Sequence, residues 1–215
     1  MKMNVDREEY KNAVSVEKMR QYDAFTIKNY VPSKELMYRA AMGVYNAVSW
    51  ENKRIAIVCG SGNNGGDGYA LACILAGKGI YPHIYRLYDR FSEDGLYYYE
   101  KAKGMGVEDR MMDSDTDLSQ YDIIADCILG TGFKGVPRKE VCDAVDTINN
   151  SSAYKISVDI NSGLDGDSGR AFCAVVSDLT VSIGFLKKGM FLGDSPRYIG
   201  RLINVDIGIV KPEGE

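Results

Sequence analysis

The stretches IAIVC (residues 55–59) and DIIADCIL (122–129) are apolar at nearly every position. A strand with one wet face alternates apolar and polar residues, whereas a run without alternation belongs to a strand covered on both sides, the usual state of a parallel sheet. Four further segments, PHIYRLYD, YKISVDINSG, LTVSIGF and RLINVDIG, are rich in Ile, Val and Tyr and read as strands. Helical texture fills several of the gaps, over 67–78, 92–105 and 138–149. Strands alternating with helices need crossover connections. The expected fold is therefore α/β: a Rossmann-like, doubly wound, mostly parallel sheet with helices on both faces, in three layers α/β/α.

Two helices are expected before the first strand. Leu36, Met37, Ala40, Ala41, Val44 and Val48 recur every three or four residues and line one helix face, with Ser33 as its N-cap. An earlier helix, from Val16 to about Tyr30, carries Met19, Tyr22 and Thr26 on a second stripe. With 215 residues and 45% apolar content, one core suffices, so residues 1–215 read as a single domain: leading helices in 1–50 and the Rossmann-like core in 53–210.

Composition removes several classes of function. A formal net charge of -4 speaks against non-specific attraction to nucleic acid or to an anionic membrane. The charged N-terminus MKMNVDREEYKNAV has no signal-peptide core, and no apolar run is long enough to span a bilayer, so a soluble, cytoplasmic protein is expected. Cys59, Cys73, Cys127, Cys142 and Cys173 contain no C-x-x-C pair and read mostly as buried thiols in a reducing compartment. His83 is the only histidine, which excludes a multi-histidine metal site; it reads as a packed or surface strand residue.

In an open parallel sheet, ligands bind beyond the carboxyl ends of the strands, near the switch in strand order. Three strands end in polar, glycine-rich turns: CGSGNNGGDG (59–68), ILGTGFKG (128–135) and DINSGLDGDSG (159–169). Gly60, Gly62 and Gly65 of the first fit G-x-G-x-x-G, which suits phosphate at a helix N-terminus but serves equally as a tight turn. Asn63, Asn64 and Asp67 add side-chain donors and acceptors that a bare turn does not need. The second turn sets Lys134 among Gly130, Thr131, Gly132 and Gly135, either as a point charge for phosphate or as a solvated loop lysine. Asp126 lies inside an apolar strand, where a carboxylate must be paired or hold a cation. In the third turn Asp159 is the candidate for proton transfer, or else a carboxylate that merely binds backbone donors; Asp165 and Asp167 read as turn aspartates.

Taken together, GSGNNGGDGYALA, DCILGTGFKG and SVDINSGLDGDSG resemble the YjeF N-terminal domain family, whose best characterised members are NAD(P)H-hydrate epimerases. Weaker agreement runs through VEKMRQYDAFTIKNYVPSKELMYRAA and KKGMFLGDSPRYIGRLINVDIGI, so the resemblance spans nearly the whole chain. It implies an isomerase of metabolite repair that interconverts the R and S forms of hydrated NADH or NADPH at carbon 6 of the nicotinamide ring. It further implies substrate contacts from Asn63, Asn64, Gly65, Gly66 and Asp67, from Gly130, Thr131, Gly132, Phe133, Lys134, Gly135 and Val136, and from Asp159 as catalytic residue. Asn64, Asp126 and Ser162 would be ligands of a potassium ion, a cation satisfied by oxygen donors.

The sequence departs from the family pattern twice. Asn161 stands where relatives have proline, and His83 and Arg86 lie where relatives often carry a lysine. The chain is expected to lack the fused dehydratase domain of many bacterial relatives and to act with a separate NAD(P)H-hydrate dehydratase. A homodimer is expected, for which the leading helices and Tyr97, Tyr98 and Tyr99 offer a surface, unless those tyrosines pack inward from an amphipathic helix. The alternative functions are a non-catalytic nucleotide- or RNA-binding scaffold of the same fold, and an NAD-dependent dehydrogenase with Asp89 as the ribose-binding acid.

Overall fold

The computed structural model describes residues 7–212 and Gly214. The first six residues of the expected leading segment 1–50, and Glu213 and Glu215 of the expected domain 1–215, lie outside the described residues. In chain order the elements are α1 (Arg7–Asn12), α2 (Val16–Asn29), α3 (Ser33–Asn46), β1 (Ile55–Cys59), α4 (Asn63–Gly77), β2 (His83–Arg86), α5 (Glu93–Gly104), β3 (Glu108–Met111), β4 (Ile123–Cys127), α6 (Lys139–Asn150), β5 (Tyr154–Val158), β6 (Ser177–Ile183) and β7 (Ile199–Val205).

The strands form one sheet in the order β3-β2-β1-β4-β5-β6-β7, and every neighbouring pair is parallel. Order reverses between β1 and β4, which register Val58 beside Asp126 and Cys59 beside Cys127. The absence of alternation in IAIVC has the expected cause. Ile55, Ile57 and Cys59 pack under α3, α4 and α5, while Ala56 and Val58 pack against Val141, Ala144, Val145 and Ile148 of α6 with Leu118 and Tyr121. Helices thus cover both faces, although α6 shares its side with loops. Helix α4 is buried at nine consecutive positions, Gly68 to Ala76, because it lies between the sheet and its helical neighbours.

Several boundaries differ from expectation. Helix α4 starts at Asn63, not Asp67, so NNGG is its first turn and not a loop, and Asp67 follows in the second. Glycine is a poor helix former, but here tight packing outweighs propensity. A Cβ on Gly60 would stand 2.0 Å from the Ile128 carbonyl oxygen, and one on Gly65 would stand 2.1 Å from the Gly60 carbonyl oxygen. Pro32, with its φ at -57°, takes the N-cap position of α3, which makes Ser33 the first helical residue and not the cap. Ser15 instead caps α2, its Oγ accepting from Lys18 N at 3.2 Å. Strand β3, EDRM, was not expected; it is a polar edge strand with β2 as its neighbour, and carries no apolar pattern to reveal it.

The tyrosine run resolves toward packing. Tyr98 and Tyr99 are buried in the helical layer, with Tyr98 Oη donating to Lys34 O and Tyr99 ring-packed on Tyr69 and Phe91; of the three only Tyr97 is exposed. Cys59, Cys73 and Cys127 are buried free thiols as expected, but Cys142 of α6 and Cys173 are joined by a disulfide, their Cα atoms 5.9 Å apart. Among the described residues no helix is long and apolar enough to cross a membrane.

The β5–β6 and β6–β7 connections contain no α-helix. Their place on that side is taken by the leading segment. Val14 forms a parallel bridge with Lys187, bonding Leu186 O and Lys188 N, and Val16 N donates to Asp167 Oδ1 at 2.8 Å across 151 positions. Asp167 is therefore a tether for the start of α2 and more than a turn residue.

Candidate functional site

Because β1, β4 and β5 are neighbours, their three polar turns open side by side at the carboxyl edge of the sheet. They surround a cavity of about 490 Å³, within the size range of small-molecule sites. Helices α2 and α3 form the opposite wall through Met19, Arg20, Asp23, Ile27, Leu36 and Met37.

The first turn presents Gly62 in the cap position of α4, with no side-chain cap and no acidic residue in the first helical turn. Its unpaired N–H groups and the positive end of the helix dipole face the cavity, an arrangement suited to an anion. Asn63, Asn64 and Asp67 line the cavity, while Gly65 and Gly66 lie beneath them as packing positions. Asn64 is buried; its Nδ2 donates to Leu129 O at 2.9 Å, and its Oδ1 has no hydrogen-bond partner.

Asp126 lies fully buried near the carboxyl end of β4. Its Oδ1 accepts from Ser162 Oγ and from Ile128 N, and its Oδ2 from Ser157 Oγ and Ser162 N, both at 2.9 Å. All these donors are neutral. Burial pushes the Asp126 carboxyl up, against the lowering effect of the Ser162 and Ser157 bonds. Ser162 Oγ also accepts from Leu129 N at 2.8 Å, so Asp126, Ser162, the Leu129 backbone and, through its Nδ2, Asn64 are linked in one chain of hydrogen bonds where the three turns meet. Among the described residues no group of three or more His, Cys, Asp or Glu side chains forms a metal cluster, and this site is instead one of mixed oxygen donors.

Gly130, Thr131, Gly132 and Phe133 line the cavity, whereas Lys134, Gly135 and Val136 lie beyond it. Lys134 turns outward to Asp167, 3.3 Å away, and both side chains are solvated. The basic side chain that does line the cavity is Arg20, whose guanidinium donates to Gly132 O at 3.3 Å.

Asp159 follows β5 with a φ of 67°, a left-handed conformation uncommon outside glycine, asparagine and aspartate. Its Oδ2 accepts from Thr131 N at 3.0 Å, so it does fix the second turn. Its Oδ1 accepts from Lys187 Nζ at 2.5 Å. Lys187 is fully buried and also donates to Ile183 O at 2.9 Å and Ser182 Oγ at 3.2 Å. Three further carboxylates line the cavity wall, Asp23, Asp67 and Asp94, and the first two sense the charges of this pair. Burial pushes Asp67 well above the usual carboxylate range, with the Asp159 and Asp23 charges adding to the shift and Lys187 opposing it. Burial raises Asp23 as well, helped by Asp159 and opposed by Lys187. The cavity thus holds carboxyls of unlike character, the arrangement that acid and base chemistry requires.

Reasoning from sequence missed Lys187, Arg20 and Asp23. Asp23 left a trace, since it interrupts the cavity-facing positions Met19 and Ile27 at four-residue spacing. Asn161, in place of the family's proline, is fully buried; its Nδ2 lies 2.9 Å from Val175 O, Ser177 Oγ and Tyr198 O, and its Oδ1 accepts from Thr180 at 2.7 Å. Side-chain cross-links therefore replace a ring as the restraint before Ser162. His83 begins β2 at the opposite edge of the sheet, bonded to Tyr121 Oη at 2.6 Å, so it forms no triad with the cavity residues. Asp89 pairs with Arg86 at 2.8 Å and does not line the cavity.

The profile of the family described as YjeF-related protein N-terminus matches residues 33–189. An NAD(P)H-hydrate epimerase of Oenococcus oeni is 34% identical over 207 residues, covering 93% of this chain and 98% of the relative. One of Anaerococcus prevotii is 35% identical, with coverage of 91% and 93%. A bifunctional NAD(P)H-hydrate repair enzyme of Pyrobaculum aerophilum is 36% identical over 76% of this chain, which spans 34% of that protein. The crystal structure of the yeast protein ynu0 superposes with a TM-score of 0.72 at 20% identity, over 89% of this chain and 86% of that one, a likeness of fold.

Proposed function

This chain belongs to the YjeF-related N-terminal family, and on that premise we propose that it is an NAD(P)H-hydrate epimerase, an isomerase that inverts carbon 6 of the hydrated nicotinamide ring. The observation that carries the reading is the convergence of the three family turns on one cavity that contains a carboxyl group paired with a buried lysine and, beside it, carboxyls pushed upward.

Inversion needs no redox partner. The C6–O bond breaks with its electrons going to oxygen, the ring-nitrogen lone pair forms an iminium, and the departing hydroxide takes a proton to leave as water. Water then adds to the other ring face and gives up a proton. Asp23 and Asp67, raised toward the protonated state, supply the proton for departure, while Asp159 accepts the proton of the returning water. The diphosphate of the dinucleotide is placed at the uncapped start of α4 and beside Arg20, which compensates a cavity otherwise lined by acids.

The oxygen donors fit potassium on two counts: Asn64 Oδ1 is buried without a partner, and Asp126 is a buried carboxylate with neutral donors only. In this reading Asn64, Asp126 and Ser162 would hold the ion, whose contribution is to neutralise Asp126 and set the three turns in register. The reading extends to a homodimer and to a separate NAD(P)H-hydrate dehydratase, the latter supported by the bifunctional relatives. It places the protein in the cytoplasm, in keeping with the buried thiols Cys59, Cys73 and Cys127; there the Cys142–Cys173 disulfide faces a reducing thiol pool.

The test is an epimerisation assay. The R form of NADH-hydrate is supplied in potassium buffer and the S form followed by chromatography. Conversion faster than the spontaneous rate is the expected result; a folded protein that leaves the spontaneous rate unchanged would remove the enzymatic reading.

A further inference from the structure

Lys187 is fully buried, and its three ammonium protons are taken by Asp159 Oδ1, Ser182 Oγ and Ile183 O. No donor is left for a ligand, and Lys187 does not line the cavity. Burying an ion pair is a poor route to stability, because the desolvation of both charges offsets their attraction and an apolar pair of similar volume often serves as well. Lys188, the next residue, is exposed, so nothing about the segment itself demands a buried cation.

What the pair does accomplish is orientation. Asp159 sits on a left-handed backbone, and its two oxygens are held from two sides, Oδ1 by Lys187 and Oδ2 by the Thr131 N–H. Two fixed bonds define the carboxylate plane, and a lone pair remains on each oxygen for a transferred proton. We propose that Lys187 is the positioning residue of the cavity, acting from beneath its floor to hold Asp159 in the orientation in which it exchanges a proton with the substrate. The catalytic consequence rests on the epimerase reading; the orientation does not.

The test therefore has two readouts. In amide spectra, Lys187→Met should displace the Thr131 signal, as Asp159→Asn should, because the carboxylate loses one of its two holds; a Thr131 signal that stays at the wild-type position overturns the proposal. In kinetics, Lys187→Met should lower kcat roughly 10²- to 10⁴-fold, the range of positioned acid-base assistance, with KM unchanged. The double variant with Asp159→Asn should be no slower than Asp159→Asn alone, whereas losses that multiply overturn a shared role. Lys188→Met is the control and should change neither readout. If Lys187→Met fails to fold, Lys187→Gln, which keeps an N–H donor without the charge, replaces it; wild-type kcat with an undisplaced Thr131 signal in that variant overturns the proposal. Should the wild type prove inactive, the epimerase reading falls and the Thr131 signal still decides the positioning claim.

Discussion

Asp126 and Asp159 close neighbouring strands of the same sheet, yet their surroundings are built on opposite plans. Asp126 is fully buried and held by four neutral donors: two hydroxyls, Ser157 and Ser162, and two backbone amides, Ile128 and Ser162. Asp159 faces the cavity and is held by one amide and one buried ammonium. The first pocket satisfies the hydrogen-bonding capacity of its carboxylate but not its charge, and so calls for a cation from outside; the second carries its own. Hydrogen bonding and charge balance are thus separate requirements that a buried carboxylate can meet separately.

The largest effect that would break this contrast concerns turnover. Asp159→Asn keeps a residue that tolerates the left-handed backbone and removes the charge together with one of the two acceptor oxygens; turnover should fall roughly 10²- to 10⁴-fold, measured in the epimerisation assay. A variant with full turnover and weakened binding would make Asp159 an anchor like Asp126. Next comes stability. Lys187→Met leaves Asp159 without its cation and should cost about 3 to 5 kcal/mol in denaturant unfolding, most of which the double variant with Asp159→Asn should restore. The complementary test addresses Asp126. Potassium at about 100 times its dissociation constant should add about 2.7 kcal/mol relative to a bulky quaternary ammonium salt, and Asp126→Asn should abolish that difference. Equal response of both variants to potassium would erase the distinction.

The smallest expected effect is in pH dependence. Asp23 and Asp67 have raised values in the fold, so the fold binds protons that the unfolded chain has released; their contribution is full below the unfolded value near 3.8 and is lost as pH rises through the folded values. Asp67→Asn should flatten that decline in thermal melts at increasing pH. Asp122 has the opposite sign: its bond to Arg54 lowers it to about 2, so its contribution is present above 3.8 and lost as pH falls toward 2.

Both carboxylates were legible in the sequence because each violates its local pattern, Asp126 inside an apolar strand and Asp159 at the head of a glycine-rich turn. Their difference was not. Lys187 and Lys188 are adjacent and alike in sequence, and only the pairing of β6 beside β5, which brings the turn after β6 to Asp159, decides which is buried. The sheet was legible because central strands buried on both sides show uninterrupted apolar runs, while the edge strand β3 has no such requirement. The start of α4 was misplaced because Gly65 is selected by contact with Gly60, a tertiary demand that overrides helix propensity. Arg20 and Asp23 were not legible, since a polar helix face toward a ligand cavity and one toward bulk water have the same composition.

The bridge between Val14 and Lys187, together with the bond from Val16 to Asp167, has a consequence for how the molecule is made. On a ribosome α2 emerges long before its docking partners, Asp167 and Lys187. The segment from β1 to β5 has local crossovers to fold on, whereas seating α2 must close a loop whose ends lie 151 positions apart, an entropic cost met only when the rest of the sheet is in place. The wall that carries Arg20 and Asp23 is therefore expected to assemble last, and substrate binding should appear later in refolding than the helical and sheet signals.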